Sequence, residues 1–403
     1  MTALESSYIQ NRARTRAILS TISNDAYWEA PIPLRHPFVF YHGHLPAFSF
    51  LTLNRRSRNE APIDDALEEL FRRGIDPEDR RQANDLAVDR WPAREEVERF
   101  VGACDDRVMA ALRADRPADR LAIDTILEHE AMHHETLMYI VHELSYAKKS
   151  SRIFSHRDDR VPVHEPISIS HGSAVLGYPS DGHEFTWDNE RDQHTCDVGA
   201  FAIDRYNVTN GDWLAFVEEG GPTPHFWERV DGSWRLRACY ERLPLPKSWP
   251  VYVTHEQAQS YAAWKGARLP SEAEYHRAAF TSPWGELRRY PWGDEPPSER
   301  HGNFNFRRYD PEPVTASPSG ASAWGVEGLV GNGWEWTGTP FAPFPHFTPM
   351  PTYPEYSADF FDGRHYVLKG ASPVTAHTLI RPSFRNWFYS DYPYVYATFR
   401  CVR

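Results

Sequence analysis

Apolar positions recur three and four residues apart along the first 150 residues and lose that rhythm afterwards. The periodic stretches predict helices near 3–23, 42–57, 93–114 and 119–147, with a shorter one near 63–73. Few glycines interrupt them, and Asp25, Pro31, Pro33, Pro92 and Pro117 punctuate them. Four main helices of this length predict an antiparallel bundle. Residues 151–165 are polar, carry Pro162 and read as a linker. Beyond them the helical signals are brief: 209–219, starting at Thr209 or Asn210, then 254–265, then 271–280, where Ser271 and Glu274 have capping-box spacing. The rest is short strand and turn, rich in Gly, Pro, Trp and Asn, with no internal repeat or low-complexity tract. The expected organisation is α+β in two domains, a helical one over 1–150 and an irregular one over 166–403.

Composition sharpens this division. Of 14 tryptophans, only Trp28 and Trp91 precede the linker; the other 12 lie between Trp187 and Trp387. The second domain is therefore expected to be held by large aromatic side chains rather than by long regular elements. A net charge of −12 argues against nucleic acid or an anionic membrane as partner. No stretch approaches the roughly 18 apolar residues that span a bilayer, and the N-terminus has no apolar signal region. Cys104, Cys196, Cys239 and Cys401 are scattered, with no CxxC pair, which argues against a cysteine-built metal cluster or disulfide framework and is simplest in a reducing cytoplasm. Small-molecule partners are expected; a homo-oligomer is compatible with the sequence.

The sharpest local signal is His129-Glu130-Ala131-Met132-His133-His134-Glu135 in the last helix of the first domain. At about 100° per residue, His129 and His133 are about 40° apart and present two imidazoles to one ion. Glu135 lies about 200° round from His133, and His134 about 100° off, expected to be exposed or to support the site from behind. A third ligand must come from elsewhere. The candidates lie in Arg35-His36-Pro37-Phe38-Val39-Phe40-Tyr41-His42-Gly43-His44, read as leading into the second helix, where His44 heads an apolar face with Phe48 and Leu51. Three readings compete. The histidines are ordinary core residues; or His-Glu-x-x-His is a zinc hydrolase helix with Glu130 as general base; or three imidazoles hold a redox metal with open positions for substrate and oxygen.

Both halves resemble a known pairing. The motif His129-x-x-x-His133-x-Glu135 and the strip from Pro33-Leu34-Arg35-His36-Pro37 to Gly43-His44 resemble the DinB-like bundle of the ergothioneine and ovothiol sulfoxide synthases. The second half resembles the formylglycine-generating-enzyme (sulfatase-modifying-factor) fold, which is C-type-lectin-like. The matching stretches are Trp187-Asp188-Asn189-Glu190, Val208-Thr209-Asn210-Gly211, Ala267-Arg268-Leu269-Pro270-Ser271-Glu272-Ala273-Glu274, Pro291-Trp292-Gly293, Gly331-Asn332-Gly333-Trp334-Glu335-Trp336 and Phe399-Arg400. Their number and order carry the resemblance. The copper-binding cysteine pair of formylglycine chemistry is missing, since only Cys401 lies near the C-terminus.

The resemblance implies iron(II), Fe(2+), on His44, His129 and His133. It implies a reaction joining a histidine-derived imidazole such as N,N,N-trimethylhistidine (hercynine), a small thiol and dioxygen, with carbon–sulfur bond formation and sulfoxidation, as in ergothioneine biosynthesis. Selenoneine- and ovothiol-type donors or ring positions are the alternatives within it. Asn386 and Trp387 match positions that hold the imidazole substrate. The branch using γ-glutamylcysteine has Asp and Arg where this chain has Phe388 and Tyr392, which favours cysteine as donor. A tyrosine supplies a proton in the family; Tyr356 fits best by its distance from Val367-Leu368, with Tyr366 as the other candidate. Trp336, Trp387 and Phe388 are expected to line the site of a soft cation. The active site is expected between the two domains.

Overall fold

The computed structural model describes residues 1–33, 35–74, 91–150, 155–163, 165–179 and 182–403. Leu34, residues 151–154 and His164 lie outside these, so the strip around Pro33 and the expected linker 151–165 are described only in part. The chain is a mixed helix and sheet protein that divides into two compact units. One comprises Met1–Arg152 with Pro351–Tyr353, the other Ile153–Met350 with Pro354–Arg403. No helix among the described residues is long and apolar enough to cross a membrane.

In the first unit, α1 (Ala3–Leu19) starts at a capping box in which the Thr2 hydroxyl accepts from the Glu5 N–H and the Glu5 carboxylate accepts from the Thr2 N–H. Its buried face is Tyr8, Arg12, Thr15, Ile18 and Leu19, a spacing of three and four. The second helix, α2 (Phe38–Ser49), begins four residues earlier than the sequence predicts. Pro37 stands at its N-cap, a place that tolerates a residue without an N–H, so proline opens this helix rather than delaying it. His44 therefore sits in mid-helix. Pro46 withholds the N–H that would bond the His42 carbonyl, and the helix passes into a π-helical segment, Phe50–Ser57.

The short α3 (Asp65–Phe71) is capped by the Asp64 carboxylate, which accepts from the Ala66 and Leu67 N–H groups. Next come α4 (Arg94–Ala114), ended by Asp115 in the left-handed region, and α5 (Arg120–Glu143). From His129 to His142 every side chain of α5 but those of Met132 and Thr136 is buried. A helix enclosed on all sides lies inside its unit, here against α1 and α2.

The second unit is built from short pieces. β1 (Pro166–Ile169) pairs with β4 (Phe201–Asp204), and β2 (Gly172–Leu176) with β3 (His194–Val198), both antiparallel. β5 (Trp227–Val230), β6 (Ser233–Arg237) and β7 (Arg242–Pro244) form a three-stranded meander. The largest sheet runs β10 (Asn386–Tyr389), β9 (His365–Ala371), β8 (Gly333–Pro340), β11 (Ala397–Thr398), with β11 parallel to β8. Three helices, α6 (Asn210–Glu218), α7 (His255–Trp264) and α8 (Glu272–Phe280), each start at a capping box: Thr209 with Asp212, Thr254 with Gln257, Ser271 with Glu274. Helices this short depend on such caps and on packing.

Large groups fill this unit. Trp187, Trp213, Trp249, Trp334 and Trp336 are fully buried. So is a charged pair that joins two of the matching stretches: Arg400 clasps Glu335 at 2.7 Å and donates to the carbonyls of Asp204, Arg205 and Glu327. Arg385 clasps Glu272 at 3.0 Å, and Arg381 bonds Glu190. Gly331 is a conformational necessity, since it has φ 94° and a side chain there would meet the Asn303 backbone at 2.8 Å.

A candidate metal centre

Helical pitch brings His129 and His133 to one face of α5, with their Nε2 atoms 3.1 Å apart. The third imidazole comes from α2: one nitrogen each of His44, His129 and His133 lies within 4.8 Å of the others, and all three side chains are buried. Two of the imidazoles each carry an aromatic ring against one face. Phe40 stacks on His44 at 4.8 Å between centroids, and Phe48 stacks on His129 at 3.5 Å and 8°. Phe40, His44 and Phe48 are spaced by four on α2, which is why one helix face supplies a ligand between two rings.

His44 is oriented by a bond. Its Nδ1–H donates to the Phe71 carbonyl at 2.6 Å, because a carbonyl can only accept; Nε2 is then the nitrogen left with a lone pair. Burial pushes His44 down to about 4, against the smaller upward pull of the Phe71 carbonyl. Burial, then their neighbouring imidazoles, hold His129 and His133 well below the usual histidine range. All three are neutral at pH 7, the form that binds metal.

The other sequence candidates are placed elsewhere. His42 Nδ1 meets the Tyr27 hydroxyl at 2.7 Å, and His36 Nε2 meets the Gly74 carbonyl at 3.0 Å. His134 is fully buried rather than exposed; its Nε2 faces Thr15 Oγ1 at 3.0 Å and the Asn11 carbonyl at 3.2 Å on α1. Glu135 accepts from the Tyr139 hydroxyl. Glu130 points to α1, where Arg12 donates to it at 2.8 Å and Thr15 at 2.6 Å. A carboxylate so engaged with α1 is not placed as the base of a zinc hydrolase.

Sequence reasoning missed Tyr353. It belongs to the three-residue segment that clusters with the helices, and its ring sits edge-on to Phe48 at 5.1 Å and to His129 at 5.9 Å. Thr352 holds the same segment, with its hydroxyl 2.9 Å from that of Thr125 and its carbonyl accepting from Arg56. No local pattern marks a tyrosine 224 positions from its neighbour His129.

In the second unit, Tyr356 stacks on Trp187 at 4.0 Å and meets Trp387 edge-on at 5.2 Å. Trp387 also stacks on Phe341 at 4.3 Å. Strand alternation sends Phe388 to the opposite face of β10, where it stacks on Tyr392 at 4.9 Å. Asn386 shares that face, and its Oδ1 accepts from the Trp387 N–H. The five residues expected around substrate thus form two groups, Tyr356 with Trp387, and Phe388 with Tyr392 beside Asn386. Tyr366, the other tyrosine candidate, stacks on His255 at 3.7 Å. Trp336 is a core residue whose Nε1–H donates to the Val253 carbonyl. Cys401 is buried, with its thiol pushed up to about 12 by burial. It is a packing residue, not a thiolate ligand.

Residues 152–403 match the sulfatase-modifying factor enzyme 1-like domain family. The likeness to a narrower group extends over both units. The chain is 34% identical over 405 aligned residues to the hercynine oxygenase of Mycolicibacterium thermoresistibile, covering 92% of this chain and 87% of that protein. It is 28% identical to ergothioneine biosynthesis protein 1 of Schizosaccharomyces pombe, over 95% of this chain and 53% of the fungal one. The formylglycine-generating enzyme of Mycobacterium tuberculosis is 29% identical over 52% of this chain and 89% of its own. The chain belongs to the hercynine oxygenase family and is an enzyme.

Proposed function

We propose that this enzyme acts in ergothioneine biosynthesis as an oxygen-dependent, iron(II) sulfoxide synthase that joins hercynine to cysteine, with the helical unit a DinB-like bundle that carries the metal. The observation that carries this reading is the convergence of three buried, neutral imidazoles in a chain whose relative over nearly its whole length is a hercynine oxygenase. The donor set fits the group, because three imidazoles with no carboxylate or thiolate among them suit a redox metal that keeps positions open. His44, through Nε2, and His129 and His133 hold the iron in this reading. When bound, iron(II) would supply the centre at which dioxygen is reduced and the sulfur and imidazole partners gather.

The protein's own groups do the rest. Phe40 and Phe48 stop two of the imidazoles from turning and keep water from them. Tyr353, whose ring lies against His129, is the phenol we assign as proton donor; Tyr356, packed between Trp187 and Trp387, becomes part of the substrate lining. Ring faces of Trp387 and Tyr356 attract the trimethylammonium group of hercynine. Asn386, whose Oδ1 accepts from the Trp387 N–H, offers Nδ2 as a donor to that substrate's carboxylate. Phe388 and Tyr392 present stacked rings with no charge for a glutamyl carboxylate or ammonium, which supports cysteine as the donor.

The test is direct. Full-length protein, loaded with iron(II) without air, is given dioxygen, hercynine and either cysteine or γ-glutamylcysteine, and products are read by mass spectrometry. A cysteine-derived sulfoxide, with oxygen uptake that needs both organic partners, is expected. Uptake with no imidazole–thiol pair would sink the reading; a product from γ-glutamylcysteine alone would overturn the donor assignment.

A further inference from the structure

We propose that Gly43 and Phe71 form a positioning device for His44, in which the missing side chain at 43 lets the end of α3 deliver its last carbonyl to the imidazole. The inference rests on the reading of His44 as a metal ligand and concerns what makes it one. Two independent observations meet here. A Cβ at position 43 would lie 2.3–2.5 Å from three atoms at the tip of the Phe71 ring, well inside contact distance. Gly43 is not needed for its backbone, since it lies in the middle of α2 and has no positive φ. A glycine inside a helix costs about 1 kcal/mol against alanine, so its presence calls for a packing reason. The Phe71 ring is that reason.

The second observation is the bond itself. Phe71 is the last residue of α3, and the carbonyls of a helix's final turn have no partner within the helix. One of them takes the His44 Nδ1–H at 2.6 Å. The Phe71 ring anchors that carbonyl: it stacks on Phe100 at 5.8 Å and meets Phe40 at 6.4 Å, and Phe40 in turn stacks on His44. Ring and carbonyl of one residue thus fix both the tautomer and the tilt of the imidazole. Among the described residues, only His44 of the three imidazoles has such a partner; Nδ1 of His129 and of His133 is buried without one there. A histidine whose far N–H is held by a carbonyl is a fixed and more basic ligand. His44 is therefore the anchoring member of the three, although it comes from the other helix.

The experiment uses the full chain and cobalt(II) as a spectroscopic probe of the site, without turnover. Gly43→Ala is expected to weaken cobalt binding about 10–100-fold, the range seen when a ligand's supporting bond is lost, and to alter the visible bands of the bound ion. The double variant G43A/F71L removes the colliding ring-tip atoms while keeping the backbone carbonyl, and is expected to recover most of the lost affinity. Wild-type affinity and spectrum in Gly43→Ala, or no recovery in the double variant, overturns the proposal. A variant that does not fold leaves the wild-type protein to decide: with 15N-labelled histidine and no metal, the resonance lost in His44→Gln must report an Nδ1–H tautomer, and an Nε2–H tautomer overturns the proposal. If His44→Ala binds cobalt as tightly as wild type, the ligand assignment fails instead, which is a different result.

Discussion

The two units solve the problem of stability in opposite ways. The two longest helices of the helical unit rely on length: α4 and α5 span 21 and 24 residues and have no side-chain N-cap bond, whereas the shorter α1 and α3 are capped. The second unit has helices of 9 or 10 residues, each with a complete capping box, and closes its core with buried tryptophans and ion pairs. Long helices can spare interior positions for chemistry, because the backbone bonds of neighbouring turns hold the helix whatever those side chains do. Short elements cannot, so most large side chains there are committed to packing. The imidazole cluster lies where side chains can be spared, and the aromatic residues proposed to line the substrate are drawn from those that also pack.

The sharpest break of this comparison is a ligand substitution. His129→Ala should abolish tight metal binding and turnover, measured by metal content and oxygen uptake, while far-ultraviolet circular dichroism stays unchanged. Loss of helix in that variant would mean that the imidazole is structural and that α5 has nothing to spare.

Next in size is acid. His42, His44 and His255 are pushed down to about 4 by burial and His134 to about 3, all below the 6.5 of an exposed histidine. Between these values the unfolded chain binds protons that the folded chain refuses, so stability must fall as pH falls. The metal-free protein should lose stability from about pH 6.5 down to about 3, each such imidazole contributing on the order of 3–5 kcal/mol at most. Because three of the four lie in the helical unit, its helical signal should melt before the tryptophan emission that reports the second. Simultaneous loss would contradict that separation.

Much of this was legible in the sequence, for local reasons. The i, i+4 imidazoles follow from helical pitch, and all three capping boxes of the second unit are readable as Thr or Ser followed three positions on by Asp, Gln or Glu. The second half's fold was readable only through its ordered motifs, and the buried pair of Arg400 with Glu335 gives one physical reason for two of them. What could not be read depends on distant contact. Phe71 reaches Gly43 across 28 positions, and Tyr353 reaches His129 from the far end of the chain. The start of α2 lies four residues before the one the periodicity predicts, because Pro37 opens the helix from its N-cap.

In the second unit the ion pairs should matter more than any cap. Arg400→Met leaves Glu335 buried without its cation and should cost about 3–5 kcal/mol, read by denaturant unfolding followed through tryptophan emission. Thr254→Ala removes one capping acceptor from α7 and should cost about 1 kcal/mol. If the two variants were equally stable, the buried charges would be ornaments of the fold and not its closure.

The smallest effect tests whether α4 and α5, the two longest helices, lack caps because they do not need them. Ala93 is the N-cap of α4, its φ and ψ of −64° and 150° are those of a capping residue, and Glu96 stands three positions on. Ala93→Ser completes a Ser-x-x-Glu box at a site where the backbone is already set. It should stabilise the helical unit by about 0.5–1 kcal/mol, seen as a small rise in the midpoint followed by circular dichroism, with metal affinity unchanged. A gain says that the site was merely unoptimised, which a 21-residue helix packed along its length tolerates. A loss would show that α4 begins in a conformation a cap disturbs, and the contrast between length and capping would then need another cause.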